Sequence, residues 1–193
     1  MTRGHTLIEI MVSMGLLVLL LGVMFLIYRT GANAWKKSEA QVQLVQDAQV
    51  VTARLSREVE RSIYASACLD PGPNNGTAVS FLSCWNEATA SYDYDPASRS
   101  PVWQKDVICY YDGPSREVRW TEVPLTPATP TASPLVGLAG LRAGGRVLAR
   151  DVTACDFVLS PRVLEMRLQM ERQRYGSGAP ERVEIPCRMF FRN

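Results

Sequence analysis

Histidine is almost missing from this chain. Among 193 residues there is one, His5, and it stands beside an apolar run. That excludes the Ser-His-Asp and Cys-His catalytic arrangements and any His-based metal site in the later part of the chain. CxxC pairs are absent, which removes the zinc-ribbon pattern. No phosphate loop occurs, because Gly144-Gly145 has neither the lysine nor the strand-to-helix setting. Strong charge is also lacking. The net charge is +2, too near neutral to argue for a nucleic-acid partner. The arginines between 142 and 182 are interleaved with acids and apolar positions, and they read as solvated faces. What remains for chemistry is Asp93 and Asp95, in YDYDP, and the rings of Tyr92, Tyr94 and Trp103. A solvated loop with structural aromatics accounts for all of them. The expectation is a non-enzymatic protein with no cofactor.

Other absences are informative. From Ile10 to Tyr28 there is no charge and no proline, in a run long enough to cross a bilayer as a helix, which takes about 20 residues. One acid, Glu9, stands at its head, where a carboxylate is costly unless something pairs with it. The basic residues do not orient the span: Arg3 precedes it, and Arg29, Lys36 and Lys37 follow. The five cysteines, at 68, 84, 109, 155 and 187, all lie beyond the run. They favour an amino terminus inside and the remainder in an oxidising compartment. A cleaved secretory signal is the alternative, since Ala32 and Ala34 have A-x-A spacing, although the run exceeds the roughly 7–15 apolar residues of a signal core.

Residues 35–66 contain no glycine or proline. Leu44, Ala48, Val51, Leu55, Val59 and Ile63 recur at steps of three and four, an amphipathic helical stripe. Gly31 and Asn33 are expected to soften the join to the apolar half. The breaker cluster from Asp70 to Gly76 then ends the helix. Strands are expected at 78–85, 103–111, 117–123, 146–150, 152–159, 163–171 and 183–191. In 163–171 Leu164, Met166, Leu168 and Met170 alternate with mostly polar residues, the pattern of a sheet covered on one side. Pro186 puts the last strand at an edge or a bulge. Residues 86–101 read as an exposed loop, and the four prolines of 124–134 as an extended surface connection. The fold class is therefore α+β: a long N-terminal helix, half membrane-spanning and half amphipathic, packed on an antiparallel sheet. The first choice for disulfides is Cys68 with Cys84 and Cys155 with Cys187, leaving Cys109 free; five cysteines permit other arrangements.

Gly4-His5-Thr6-Leu7-Ile8-Glu9 resembles the leader of type IV prepilins and pseudopilins. There the pattern is Gly, usually Phe, then Thr, Leu, an aliphatic residue and Glu, followed by an apolar helix. Here His5 stands where Phe is usual. RLSREVERS at 54–62, the strand-rich remainder and the terminal FFRN resemble the larger minor members, the PilW-like and J-type pseudopilins. The resemblance implies a pilin-like fold and a minor, priming or tip subunit of a filament. Residues 1–4 would be a leader, 5–28 the membrane and filament-core helix, 29–66 the amphipathic continuation and 67–193 a periplasmic head. It further implies cleavage between Gly4 and His5, N-methylation of His5, and an assembly role for Glu9 facing a neighbour's amino terminus. The implied partners are prepilin peptidase, other minor subunits, the major pilin, an inner-membrane assembly platform and lipid. The location would be the inner membrane with the amino terminus cytoplasmic, then the filament. The alternative is a membrane-anchored periplasmic enzyme or ligand-binding domain.

Overall fold

The computed structural model describes residues 6–72, 75–142, 144–172 and 179–192. It is α+β, with one long helix, α1 (Leu7–Val59), followed by antiparallel strands. The chain divides into two compact units, Met1–Ala40 and Gln41–Asn193.

In the first unit the helix runs unbroken through Gly31 and Asn33, so the expected softening does not occur. Its large apolar side chains from Leu7 to Tyr28 are all exposed. The two hydroxyls in this stretch turn back on the helix: Ser13 Oγ donates to the Glu9 carbonyl at 2.7 Å and Thr30 Oγ1 to the Leu26 carbonyl at 2.8 Å. Apart from Glu9 and Ser13, the exposed side chains of this stretch are apolar, which is compatible with a hydrocarbon environment. By length and composition the helix can cross a membrane.

In the second unit the stripe is realised as expected. Leu44, Ala48, Val51, Leu55 and Val59 are buried against the inner face of a sheet. The strands are β1 (Cys68–Pro71), β2 (Asn75–Ser83), β3 (Trp85–Asn86), β4 (Ser91–Tyr92), β5 (Trp103–Asp112), β6 (Glu117–Thr129), β7 (Arg146–Ala149), β8 (Val152–Ser160), β9 (Val163–Arg172) and β10 (Glu181–Phe190). The main sheet has the order β10-β9-β8-β2-β5-β6-β7. β2 forks at one edge: Asn75 and Gly76 pair with β8, and Ala78, Val79 and Ser80 pair with β1. The fork needs glycine, because a Cβ on Gly76 would lie 2.3 Å from the Asp70 carbonyl oxygen. Leu164, Met166, Leu168 and Met170 face the core, as the alternation in β9 predicts. β10 is an edge strand and carries Pro186.

Three local expectations change. α1 ends at Val59 instead of near Ser66. Ile63 leaves the helical stripe for an extended conformation and bridges to Arg192. Buried Ser62 and Ser66 stabilise that exit. The Ser62 carbonyl accepts from the Arg192 amide at 3.0 Å, and Ser66 Oγ accepts from the Leu82 amide at 3.2 Å. Second, the breaker cluster turns the β1–β2 hairpin and does not end the helix. Third, β6 continues through Pro124 and Pro127 to Thr129, where it pairs with Trp103 across an irregular register.

If the stripe carries the packing, Leu55→Ala should destabilise the head by about 3 kcal/mol, as for other buried leucines. Val50→Ala, at a position 55% exposed, should change stability by less than about 0.5 kcal/mol. Urea unfolding of the full chain in detergent, followed by tryptophan fluorescence, measures both. Equal losses would mean that the stripe does not carry the packing.

Candidate functional site

At the mouth of the apolar helix, Thr6 precedes the first helical residue, Leu7. The Glu9 amide donates to the Thr6 carbonyl at 3.0 Å and lies 3.4 Å from Thr6 Oγ1, and the Ile10 amide donates to the same carbonyl at 3.3 Å. Thr at the cap with Glu three residues later is the Thr-x-x-Glu arrangement of a capping box. The dipole also favours a carboxylate in this first turn. Glu9 is exposed and shares a shallow surface hollow with Ile10, Ser13, Met14 and Leu17. Thr6 therefore has a local role, legible in sequence as a Thr-x-x-Glu capping signal, besides its place in the leader-like pattern. Gly4 and His5, the expected cleavage and methylation positions, lie outside the described residues.

In the head, a polar network sits between α1 and the sheet. Lys105 Nζ reaches Glu87 Oε1 at 2.8 Å and also bonds Glu122 Oε2. Glu122 Oε1 accepts from Trp120 Nε1 at 2.7 Å and faces the Arg54 guanidinium at 3.4 Å. That guanidinium lies 4.8 Å from the centre of a Trp120 ring, a cation–π contact. Burial alone would lower the Lys105 pKa, but hydrogen bonds to Glu122 and Glu87 outweigh it and hold it above its ordinary value. Burial would raise Glu122, but its bonds from Lys105 and Trp120 hold it below the ordinary carboxylate range. The geometry is that of a rigid ionic staple, with every group paired. Beside it, Arg54, Arg57 and Arg61 line one side of a groove whose other wall is Trp85 and Tyr92. Arg61 stacks over Tyr92 at 4.2 Å.

The remaining candidates are absorbed by structure. Asp93 accepts from Asn86 at 2.7 Å and from Gln104 at 2.8 Å, and Asp95 caps a turn through Ala97 and Ser98. Trp103 is buried, Tyr92 half-buried and Tyr94 exposed. Among the described residues no group of three or more His, Cys, Asp or Glu side chains could hold a metal ion. The outer face of β9 and β10 is a ladder of ion pairs: Arg182–Glu171 at 2.5 Å, Arg188–Glu165 at 2.7 Å and Arg167–Glu184 at 3.6 Å. Exposed pairs of this kind contribute little to stability.

All five cysteines are free thiols, and neither expected pair is brought together. Cys68 faces Ser80 across β1 and β2. Cys84 is four residues further along, roughly 13 Å at strand rise. Cys155 and Cys187 lie on β8 and β10 with β9 between them, which holds their backbones roughly 9 Å or more apart at normal strand spacing. A disulfide needs Cα atoms within about 7 Å. Cys109 and Cys155 are instead buried in the core under α1. Burial pushes the Cys109 thiol up to about 12. It raises Cys155 well above its ordinary value too, with Cys109 and Asp156 adding to the effect. Thiols in that state are inert packing groups.

Compared with known proteins, the chain matches no family model, no curated protein and no solved structure.

The staple has a pH signature. The Glu122 contribution is complete above its ordinary value of 4.5 and is lost as pH falls through the lower folded value. Glu122→Gln should therefore cost about 2 kcal/mol at pH 7, since it leaves Lys105 with one carboxylate. The gap from wild type should narrow as pH drops below 4. Urea midpoints of both proteins from pH 3 to 7 test this; a gap that stays constant with pH removes the ionic explanation.

Proposed function

We propose that this chain is a non-enzymatic minor pilin or pseudopilin, processed by prepilin peptidase, that primes or caps a type IV pilus-like filament. The observation that carries the reading is Thr6-Leu7-Ile8-Glu9 at the head of a single apolar helix, α1, which continues into the amphipathic cover of an antiparallel sheet. Gly4 and His5 precede that segment in sequence at the spacing of a prepilin cut site. In this reading the peptidase cuts after Gly4, and His5 becomes the methylated amino terminus. The apolar half of α1 anchors the subunit in the inner membrane, with the amino terminus cytoplasmic and the head periplasmic. It then leaves lipid to pack among neighbouring subunits. The Glu9 carboxylate faces the amino terminus of the adjacent subunit. Burial of a carboxylate within the membrane helix costs about 2.5–3.5 kcal/mol on insertion scales, so pairing in the filament gives assembly a direction and a register. Other minor subunits, the major pilin, the assembly platform and lipid are the partners. A head with long covering segments suits a priming or tip position better than a repeating shaft.

The capping geometry sharpens the test. Gln replaces Glu in a capping box without loss of the cap, but it carries no charge. Glu9→Gln should leave membrane insertion and helix content unchanged and reduce incorporation into filaments at least tenfold. Sheared-filament fractions, blotted for the protein, measure this; normal incorporation would reduce Glu9 to a helix cap. Intact mass of the mature protein supplies the second check. N-methyl-His5 is the expected terminus. Cleavage after Ala34 or an uncut chain would favour an exported enzyme or ligand-binding domain.

A further inference from the structure

The outer face of the sheet, away from α1, holds two apolar clusters. Ala78, Ile108, Tyr110 and Leu138 form one, with Leu135 and Leu141 packed against it. Leu82, Cys84 and Trp103 form the other, with Ile63, Tyr92, Leu125 and Ala132 packed against it. Residues 130–141 reach both: Leu135, Leu138 and Leu141 pack on the first, and Ala132 on the second beside Ile63, Tyr92 and Leu125. The ends of this segment are fixed. Thr129 pairs with Trp103 at the end of β6, and Arg142 bonds the Asp70 carboxylate and, at 3.2 Å, the Asp70 carbonyl.

Between the clusters lies a polar patch. Asp106 pairs with Leu82 on one side and Val123 on the other, and Ser80 and Thr121 both face Ile108. Antiparallel partners point to the same face, so Ser80, Asp106 and Thr121 are diagonal neighbours beneath the cover. Asp106 is 3% exposed and Ser80 0%. Asp106 Oδ1, Ser80 Oγ and Thr121 Oγ1 are buried and have no hydrogen-bond partner among the described residues. Among the described residues no cation forms an ion pair with the Asp106 carboxyl; Arg142, at the end of the cover, is held by Asp70. β2 contributes Ser80 and Leu82, β6 contributes Thr121 and Val123, and residues 124–141 contain no ionisable side chain. The charged groups at the borders of this face are Asp70, which pairs with Ala78 across the strands and bonds Arg142, and Asp93, which accepts from Gln104 two residues before Asp106. Lys105 and Glu122, the adjacent charged residues, point to the α1 side.

We propose that Asp106 is a pH-sensitive latch for residues 130–141. With the carboxyl protonated, the segment stays down over both clusters. When the proton leaves to solvent, the buried carboxylate needs water, and the segment lifts between its fixed ends. Ala78, Ile108, Leu135 and Leu138 are then uncovered as an apolar surface that is closed on the acid side.

Burial pushes the Asp106 carboxyl up from 3.8 to about 6. A carboxyl raised in the closed state favours that state fully below about 3.8; the preference is lost progressively as pH rises from there through about 6, and it changes little above. Two-state linkage between these values gives roughly tenfold more opening at pH 7.5 than at pH 5. Hydrogen exchange on the full chain in detergent, read by mass spectrometry over 130–141 and corrected for intrinsic rates, should show that tenfold fall in protection. Asp106→Asn should abolish the pH dependence. A flat wild-type profile, or the same profile in Asp106→Asn, overturns the proposal. A second measurement needs no variant. Carbon-13 NMR of the Asp106 carboxyl in wild type should give a midpoint near 6, and a midpoint below 4.5 overturns it.

Discussion

The head depends on one contact above all, the burial of the sheet's inner face under the apolar stripe of α1. Leu44, Ala48, Val51, Leu55 and Val59 place an apolar side chain at each successive turn over Phe81, Val107, Cys109, Phe157 and the methionines of β9. Other features of the head follow from it. The sheet is free to be charged on the outer side of β9 and β10 because its inner side is dry. Cys109 and Cys155 are held as inert thiols because the stripe seals them from water. The Lys105–Glu122–Arg54 staple forms because α1 brings Arg54 to the sheet at the level of Trp120.

The two halves of the helix differ in chemistry. From Ile10 to Tyr28 the helix exposes almost entirely apolar side chains, and Ser13 and Thr30 bond back to the helix backbone. Its second half has the period of a one-sided cover. Glu9 and Thr6 sit where the helix begins, so they combine two duties: a local cap and, in the filament proposed above, a charged mark for register. A capping box explains why Thr and Glu stand three apart. It does not explain why an acid and not its amide should head an apolar helix, since Gln would cap as well. The filament reading supplies a reason for the charge.

Much of the fold was legible in the sequence. Periodicities of 3.6 and 2 are local, so the stripe of α1 and the alternation of β9 appear whatever the rest of the chain does. The errors fall where a distant partner decides. Ile63 fits the helical stripe, yet it leaves the helix because the C-terminal Arg192 bridges it. β3 and β4 are two residues each, too short to show a period. Strand order and register keep Cys68 from Cys84 and Cys155 from Cys187, and neither can be read from spacing. Asp106 looks like any strand acid flanked by Lys105 and Val107. Its burial at 3% exposure depends on what remote segments pack onto the outer face around it.

What the sequence determined by itself is the chemistry of each segment. It set a single apolar span with one acid at its head, a stripe matched to one face of a sheet, and a chain with one histidine and no CxxC pair. These are properties of side chains and of short-range periodicity, which every residue carries with it. What only the tertiary structure decided is which groups lose water and which charges meet. Lys105 found two carboxylates and stayed charged, while Asp106, its neighbour on the opposite face, found none. The physical reason is the pleat: adjacent residues of one strand face opposite sides of the sheet, and what covers each side comes from remote parts of the chain.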